Sequence, residues 1–177
     1  STSVSPFKYN QANSFEGLTF YYPNQLRTAS SPTVYPATFT PNTAATPWLA
    51  KVRWNNCQFV NSYFWIDAAY SHGDFRFENL VGCPIYRGIV ADGSGGTDTY
   101  KNIYGSYFYW CQGSDAIQTW IQANSQGIAI GYSDALIMDN IYFGSLNVGI
   151  RLFYGTVVTG GCWGSLNQIY LDACNYG

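Results

Sequence analysis

The segments RFENLVG (residues 76–82) and TYKNIYG (residues 99–105) lie 23 residues apart and share one pattern. An asparagine, Asn79 or Asn102, stands at the centre of each, with large apolar residues two positions before it and one position after it. Alternating apolar and polar residues are typical of short β-strands. Asparagine and glycine tolerate the left-handed backbone conformation that a sharp bend requires. Each segment therefore predicts a strand, a bend and a second strand.

The same pattern recurs along the chain. The predicted bends are Gly17, Asn56, Asn79, Asn102, Asn140 and Gly161, at intervals of 39, 23, 23, 38 and 21 residues. Repeats of 21–23 residues are typical of solenoids, and stacked asparagines can form a ladder of hydrogen-bonded amides. The pattern predicts an all-β fold, a right-handed parallel β-helix with about 21–23 residues per coil.

A second strand is predicted about ten residues after each bend. Its inward column contains Ile66, Ile89, Ile150 and Leu171, with Ile117 assigned to the coil after Asn102. Its outward column contains Asp67, Val90, Arg151 and Asp172. Because side chains alternate between the two faces of a strand, these residues are expected to share one surface of the protein.

The two longest intervals predict insertions at residues 21–47, which hold five prolines, and 111–135, which holds the short strand Gly127–Ile130. The whole chain, residues 1–177, is predicted to be a single domain and a fragment of a longer protein. The alternative fold is a β-sandwich with hairpin connections. It is disfavoured because the Asn-Gly hairpin dipeptide is absent and a sandwich does not explain the repeated asparagines.

Composition excludes several classes of function. The net charge is −2 and the eight basic residues are scattered, so nucleic-acid binding is not expected. No apolar stretch reaches the roughly 18 residues of a membrane span, so no membrane insertion is expected. Five cysteines without a CxxC spacing and one histidine predict no metal site and no cofactor. Reduced, buried thiols would fit folding in a reducing cytoplasm.

The segment GLTFYYPNQ (residues 17–25), followed by Val34-Tyr35-Pro36, resembles a stretch near the start of the β-helix in phage tailspike depolymerases of the pectate-lyase-like superfamily. The resemblance covers roughly residues 13–40; beyond them only the coil pattern is similar. It implies a homotrimeric virion tail protein, folded in the host cytoplasm, that binds and often cleaves a bacterial surface polysaccharide outside the cell. Convincing matches to the motifs of the pectin-hydrolysing branch are missing at residues 71–74 and 149–152, which disfavours polygalacturonase chemistry.

Candidate catalytic residues come from the ten carboxylates of the chain. Glycoside hydrolysis generally uses two carboxyls, and inverting enzymes leave room for a water between them. Asp67 and Asp92 are predicted on adjacent coils, offset by two residues, which gives a Cα separation of about 8 Å. Asp115 is expected on the next coil, near the same face. The alternative is that these residues only keep the surface polar and bind nearby backbone.

Candidate substrate-binding residues surround the predicted carboxylates. Trp65 and Trp120 could pack on the C–H faces of sugar rings, and Arg87 and Arg151 could contact acidic sugars. Tyr70 and His72 lie in the adjoining loop, where His72 and a nearby aspartate could exchange protons. For each aromatic residue the alternative is core or subunit packing, and for His72 it is simple exposure to solvent.

The leading functional hypothesis is a phage tailspike or tail fibre protein that binds and depolymerises capsule or O-antigen polysaccharide by glycoside hydrolysis. A polysaccharide lyase is the second hypothesis. A non-catalytic receptor-binding or structural virion protein is the third, because a binding protein needs no close pair of acids.

Overall fold

A computed structural model describes residues 5–42, 50–69 and 73–176. Within these ranges the chain is mostly β-structure, with one α-helix and one 3-10 helix. All strand pairs in the two sheets are parallel. The chain passes back and forth between the sheets, so hydrogen-bonded neighbours within one sheet are always joined through a strand of the other.

The smaller sheet, sheet A, has six strands. In spatial order they are β1 (Phe7–Tyr9), β4 (Phe39–Pro41), β7 (Phe64–Ala68), β9 (Arg87–Ala91), β11 (Gln126–Ile130) and β13 (Val148–Leu152). Ile66, Ile89, Ile128 and Ile150 are aligned across four neighbouring strands. This row faces the interior of the protein, and its first three members are buried.

The larger sheet, sheet B, has eight strands. They are β2 (Ser14–Glu16), β3 (Thr19–Phe20), β5 (Arg53–Asn55), β6 (Gln58–Phe59), β8 (Arg76–Gly82), β10 (Ser94–Ser106), β12 (Ser133–Gly144) and β14 (Cys162–Asp172). The inward row that the sequence predicted two residues before each bend forms an aromatic stack. Trp54 and Phe77 lie 5.0 Å apart and nearly parallel, and Phe77 and Tyr100 lie 4.7 Å apart. These rings fill the core between the sheets.

The predicted asparagine bends are confirmed. Asn56, Asn79, Asn102 and Asn140 all have left-handed backbone conformations, with φ between 52° and 55°. Asn140 Nδ2 donates to Asn102 Oδ1, and Asn102 Nδ2 donates to Asn79 Oδ1, each at 2.9 Å. The last step of the ladder shifts by one residue, since Asn79 Nδ2 donates to Asn55 Oδ1 rather than to the neighbouring bend.

The predicted fold class, a right-handed parallel β-helix with coils of 21–23 residues, is contradicted. The described residues form two parallel sheets, of six and eight strands, and two short helical segments. Residues paired across neighbouring strands of sheet B are separated by 39, 23, 38 and 28 residues, so no constant coil length exists. Both predicted insertions also supply strands to sheet A, namely β4 and β11.

The last predicted bend is wrong as well. Asp139 pairs with Asn167, so the residue opposite Asn140 is Gln168, with φ 51°, rather than Gly161. The residues up to Gly161 form a loop after β13 instead. Leu171 and Asp172 consequently lie in sheet B, not in the predicted columns of sheet A.

A helix replaces the strand expected at Ile117. Residues Ala116–Asn124 form helix α1, with Ile117 and Ile121 buried one turn apart on the same face. The helix leads directly into β11, where Ile128 occupies the inward position that the sequence analysis assigned to Ile117. The strand predicted at residues 127–130 is confirmed within β11.

Candidate functional site

Two of the predicted binding residues, Arg87 and Arg151, line the same groove on sheet A. Its volume is about 190 Å³, and the rest of its lining is Tyr86, Asn124, Ser125, Gln126, Asn147 and Val148. This volume is below the roughly 300–1,000 Å³ of typical small-molecule pockets, as expected for a groove that contacts one side of its ligand. We call this site the arginine groove.

The parallel register of sheet A assembles the arginine groove. Arg87, Gln126 and Val148 are the first residues of β9, β11 and β13, and they are aligned across the sheet. The residues directly before these strands are tied together by backbone hydrogen bonds, from Gln126 N–H to the Tyr86 carbonyl at 2.8 Å and from Val148 N–H to the Ser125 carbonyl at 3.0 Å. Polar groups at strand starts are thereby held side by side at about 4.8 Å intervals.

The two guanidinium groups are held by aromatic rings rather than by carboxylates. Arg87 Nη2 donates to Tyr86 Oη at 3.0 Å, and its guanidinium lies 4.7 Å from the centre of that ring. Arg151 lies 5.4 Å from the ring of Phe153. In the described part of the chain, neither arginine makes a salt bridge. Both charges therefore remain available to an anionic ligand.

Aromatic rings border the groove on the side of helix α1. Tyr63 and Tyr86 stack at 5.1 Å, and Trp120 of the helix lies 6.3 Å and 6.2 Å from their centroids. Trp120 is half-buried in this cluster, which suits both its predicted binding role and a packing role. Aromatic faces beside arginine and amide groups match the mixed apolar and polar surface of a sugar ring.

Asp67 shares an outward row with Arg151. Pairing across four strands aligns Asp67, Val90, Ala129 and Arg151, so three members of the predicted outward column are confirmed. Three strand spacings place the Cα atoms of Asp67 and Arg151 about 14 Å apart. Burial raises the pKa of the Asp67 carboxyl, while a hydrogen bond from Ala69 N–H and the charge of Arg87 oppose the change. A carboxyl with a raised pKa can act as a proton donor.

Asp92 has a structural environment. It is only 2% exposed, and its Oδ2 accepts from Thr156 N–H, Thr156 Oγ1 and Val157 N–H at 2.8–3.0 Å. Oδ1 accepts from Tyr132 N–H at 3.2 Å. Burial favours the neutral acid, but these hydrogen bonds outweigh it and lower the pKa of Asp92. With both oxygens engaged and the side chain buried, the carboxylate holds the loop after β13 and is not free to activate a water.

Asp115 lies apart from the other two carboxylates. It is the N-cap residue of helix α1, where Oδ2 accepts from Gln112 N–H at 2.6 Å and lies 3.8 Å from Arg27 Nη1. The helix packs near Tyr63, which precedes β7, whereas Asp67 is near the far end of that strand. The structure therefore does not bring the predicted catalytic trio together.

Trp65 is a further correction. Its side chain is fully buried, stacks on Phe59 at 4.9 Å and donates through Nε1 to the Cys83 carbonyl at 3.3 Å. It belongs to the core and cannot contact a ligand at the surface. Tyr70 and His72 lie outside the described residues, so their predicted roles stay predictions.

Asp98 is a buried carboxyl that the sequence analysis did not single out. It lies in strand β10 of sheet B and is fully buried; Oδ1 accepts from Phe75 N–H at 3.1 Å and Oδ2 accepts from Ser133 Oγ at 3.2 Å. Burial raises the pKa of Asp98 to about 6, against the opposing effect of these hydrogen bonds. Asp98 therefore has no surface exposed to solvent in this structure.

Comparisons with protein-family models, with curated proteins and with solved structures find no match to this chain. The likeness to tailspike depolymerases therefore stays a prediction. No helix in the described ranges is long and apolar enough to cross a membrane. Among the same residues, no group of three or more His, Cys, Asp or Glu is arranged to hold a metal ion.

Sequence reasoning missed Tyr63, Tyr86, Gln126 and Asn147 at this site. Tyr63 and Tyr86 were detectable, because they lie 23 residues apart, which is the interval between the two best-matched bends. Gln126 and Asn147 were not detectable, because helix α1 lies where the sequence pattern predicted the next strand, so the positions of the strands after it could not be assigned.

Proposed function

We propose that this chain binds an acidic polysaccharide of the bacterial surface, capsule or O-antigen, through the arginine groove. The observation that carries the proposal is the pair Arg87 and Arg151, which line one groove without a carboxylate partner among the described residues. Guanidinium groups match carboxylates with two parallel hydrogen bonds, and the amides of Gln126 and Asn147 can pair with hydroxyls. The virion-tail location and the homotrimer are proposed from the sequence resemblance alone.

Binding should depend on the acidic groups of the ligand. The test measures affinity by titration calorimetry for a hexuronate oligosaccharide and for the same oligosaccharide after reduction of its carboxyls. We expect Arg87→Ala and Arg151→Ala each to weaken binding of the acidic form by about 10-fold to 100-fold, because each removes a charge-assisted contact of about 1.5–3 kcal/mol. The reduced form should bind weakly to every variant.

Lys101→Ala is the matched control, since it removes an exposed positive charge from sheet B. Equal loss of affinity in Lys101→Ala and Arg87→Ala would show that only net charge matters and would exclude the groove as the site. Equal binding of the acidic and reduced oligosaccharides would contradict recognition of carboxylates.

Hydrolysis is the second candidate function, and the raised pKa of Asp67 favours it. In that reaction Asp67 would protonate the glycosidic oxygen as the general acid. The environment of Asp92 argues against its being the base, so the base would have to be another carboxylate. Release of reducing ends by the wild type but not by Asp67→Asn would support hydrolysis. Release of unsaturated uronates, followed by ultraviolet absorbance, would indicate a lyase instead.

A further inference from the structure

A second, larger groove lies on sheet B. Its volume is about 660 Å³, within the usual range for ligand sites. Its lining is Ala12, Asn13, Ser14, Lys51, Val52, Arg53, Asp74, Arg76, Thr97 and Thr99. We call it the sheet B groove. None of its residues lines the arginine groove, so the two sites are separate in composition and in the sheet that carries them.

The register of sheet B places its polar side chains in one row. Ser14, Arg53, Arg76 and Thr99 are aligned across β2, β5, β8 and β10. All four are at least partly exposed. Neighbouring strands are about 4.8 Å apart, so a guanidinium pair is flanked on both sides by hydroxyls.

The lining carries an excess of positive charge. Three cations, Lys51, Arg53 and Arg76, face one carboxylate, Asp74. Arg53 is neutralised from outside the lining by Glu78, with Nη2 and Oε2 2.9 Å apart. For Lys51 and Arg76, no carboxylate partner exists in the described part of the chain. In a protein of net charge −2, such unpaired cations form a local site for an anion.

The backbone at the groove is held in unusual conformations. Ala12, Lys51 and Asp74 each lie two residues before a strand and have φ of 59°, 61° and 57°. For side chains other than glycine, asparagine and aspartate, and thus for Ala12 and Lys51, such conformations are unfavourable by about 1–3 kcal/mol per residue, and they persist where the surroundings enforce them. Hydrogen bonds from Ala12 N–H to the Ala50 carbonyl and from Lys51 N–H to the Gly73 carbonyl connect the row. The groove is therefore preorganised before a ligand binds.

The backbone next to the groove is also closely packed. A Cβ atom added at Gly73, whose φ is 90°, would lie 2.8 Å from the amide nitrogen of Gly96. Asp74 Oδ1 accepts from Thr97 N–H at 3.2 Å, so the only acidic group of the lining is already engaged by backbone. Asp74 keeps its negative charge, but the two unpaired cations Lys51 and Arg76 outnumber it in the lining.

We propose that the sheet B groove is a second binding site, which takes an oxyanion carried by a saccharide. Arg76 and Lys51 bind the carboxylate or sulfate ester, and the hydroxyls of Ser14 and Thr99 bind the sugar hydroxyls. The site is independent of the proposed function of the arginine groove, because it uses other residues on the other sheet.

The test follows backbone amide signals by NMR while the full chain is titrated with four separate probes: a hexuronate oligosaccharide, a sulfated oligosaccharide, a neutral glucan oligosaccharide and inorganic sulfate. We expect the two acidic saccharides to shift the amides of Thr97 and Thr99 and the neutral glucan not to shift them. Inorganic sulfate should bind at least about 10-fold more weakly, as judged from the concentration at which the same amides shift, because it lacks the sugar hydroxyls that Ser14 and Thr99 bind.

Arg76→Gln, which preserves most of the side-chain length, should weaken saccharide binding, measured from these shifts, about 10-fold or more. Lys51→Ala should weaken binding less. Arg151→Ala is the matched control and should leave them unchanged while it weakens binding at the arginine groove. Shifts at Thr97 and Thr99 that persist in Arg76→Gln, or that arise equally from the neutral glucan, would overturn the proposal. Equal affinity for inorganic sulfate and the saccharides would overturn its saccharide part.

Discussion

Asp98→Asn is expected to remove one contribution to the pH dependence of the free energy of unfolding. Asp98 is fully buried and its pKa is raised to about 6, from an ordinary value of 3.8. A group with a higher pKa in the folded state favours folding while it is protonated in both states. That contribution is fully present below about pH 4 and is lost as the pH rises through about 6. Asparagine has no such proton to lose.

The magnitude follows from the pKa change. A difference of about two pKa units, at 1.36 kcal/mol for each unit, corresponds to about 3 kcal/mol. The free energy of unfolding of the wild type should therefore fall by about 3 kcal/mol relative to that of Asp98→Asn between about pH 4 and about pH 7. The hydrogen bond from Phe75 N–H can be retained, because the asparagine amide oxygen is also an acceptor.

Urea denaturation at several pH values, followed by tryptophan fluorescence, measures both proteins under identical conditions. All other titrating groups are common to the two, so their effects cancel in the difference. Asp172→Asn, the same change at an exposed position, controls for the loss of one negative charge. A stability difference between wild type and Asp98→Asn that stays constant from acid to neutral pH would refute the conclusion that burial raises the pKa of this carboxyl.

Three further substitutions test other parts of the structure, each by urea denaturation. Asn102→Ala should destabilise the protein by about 2–3 kcal/mol, because it removes two ladder hydrogen bonds and a residue suited to φ 53°. Asn102→Gly should lose only about half of this, and equal losses in the two variants would contradict a contribution from the left-handed backbone conformation. Gly105→Ala should lower the free energy of unfolding by about 1–3 kcal/mol, since the added Cβ would clash with the Phe143 ring. An unchanged stability would mean that the ring moves freely. Asp92→Asn should destabilise the protein by about 1–3 kcal/mol at neutral pH. Because the pKa of Asp92 is lowered, the difference in unfolding free energy between wild type and variant should shrink as the pH falls below about 4, and a difference that grows on acidification would contradict the assigned hydrogen bonds.

The sequence predicted local geometry better than global architecture. Left-handed bends at asparagine follow from the backbone preferences of that residue, so Asn79, Asn102 and Asn140 could be placed from their spacing. Gln168 occupies the next bend although glutamine has no such preference, and its neighbours in the structure determine its conformation. Such a bend cannot be recognised from the residue type alone.

The candidate site could be predicted only in part. Arg87 and Arg151 were selected as ligand-binding residues. The structure brings them to one groove because Arg87 aligns with Gln126 and Val148 across sheet A, and Arg151 lies three residues after Val148. Trp65 was assigned to the surface because simple alternation from Ile66 placed it outward, yet its indole is fully buried, stacked on Phe59 and hydrogen-bonded to the Cys83 carbonyl. Asp92 was selected for its position, but its role depends on a loop whose length the repeat pattern had concealed.

The alternation of the chain between sheets A and B has a consequence for folding during synthesis. In sheet B, hydrogen-bonded side chains on neighbouring strands are separated by only 23–39 residues in the sequence, and the earlier strand is always the first to leave the ribosome. Each new strand can therefore add to a surface that already exists, so we expect the protein to assemble in the order of translation. A pause in translation after a strand has been added to each sheet would leave an ordered pair of partial sheets rather than an unfolded chain.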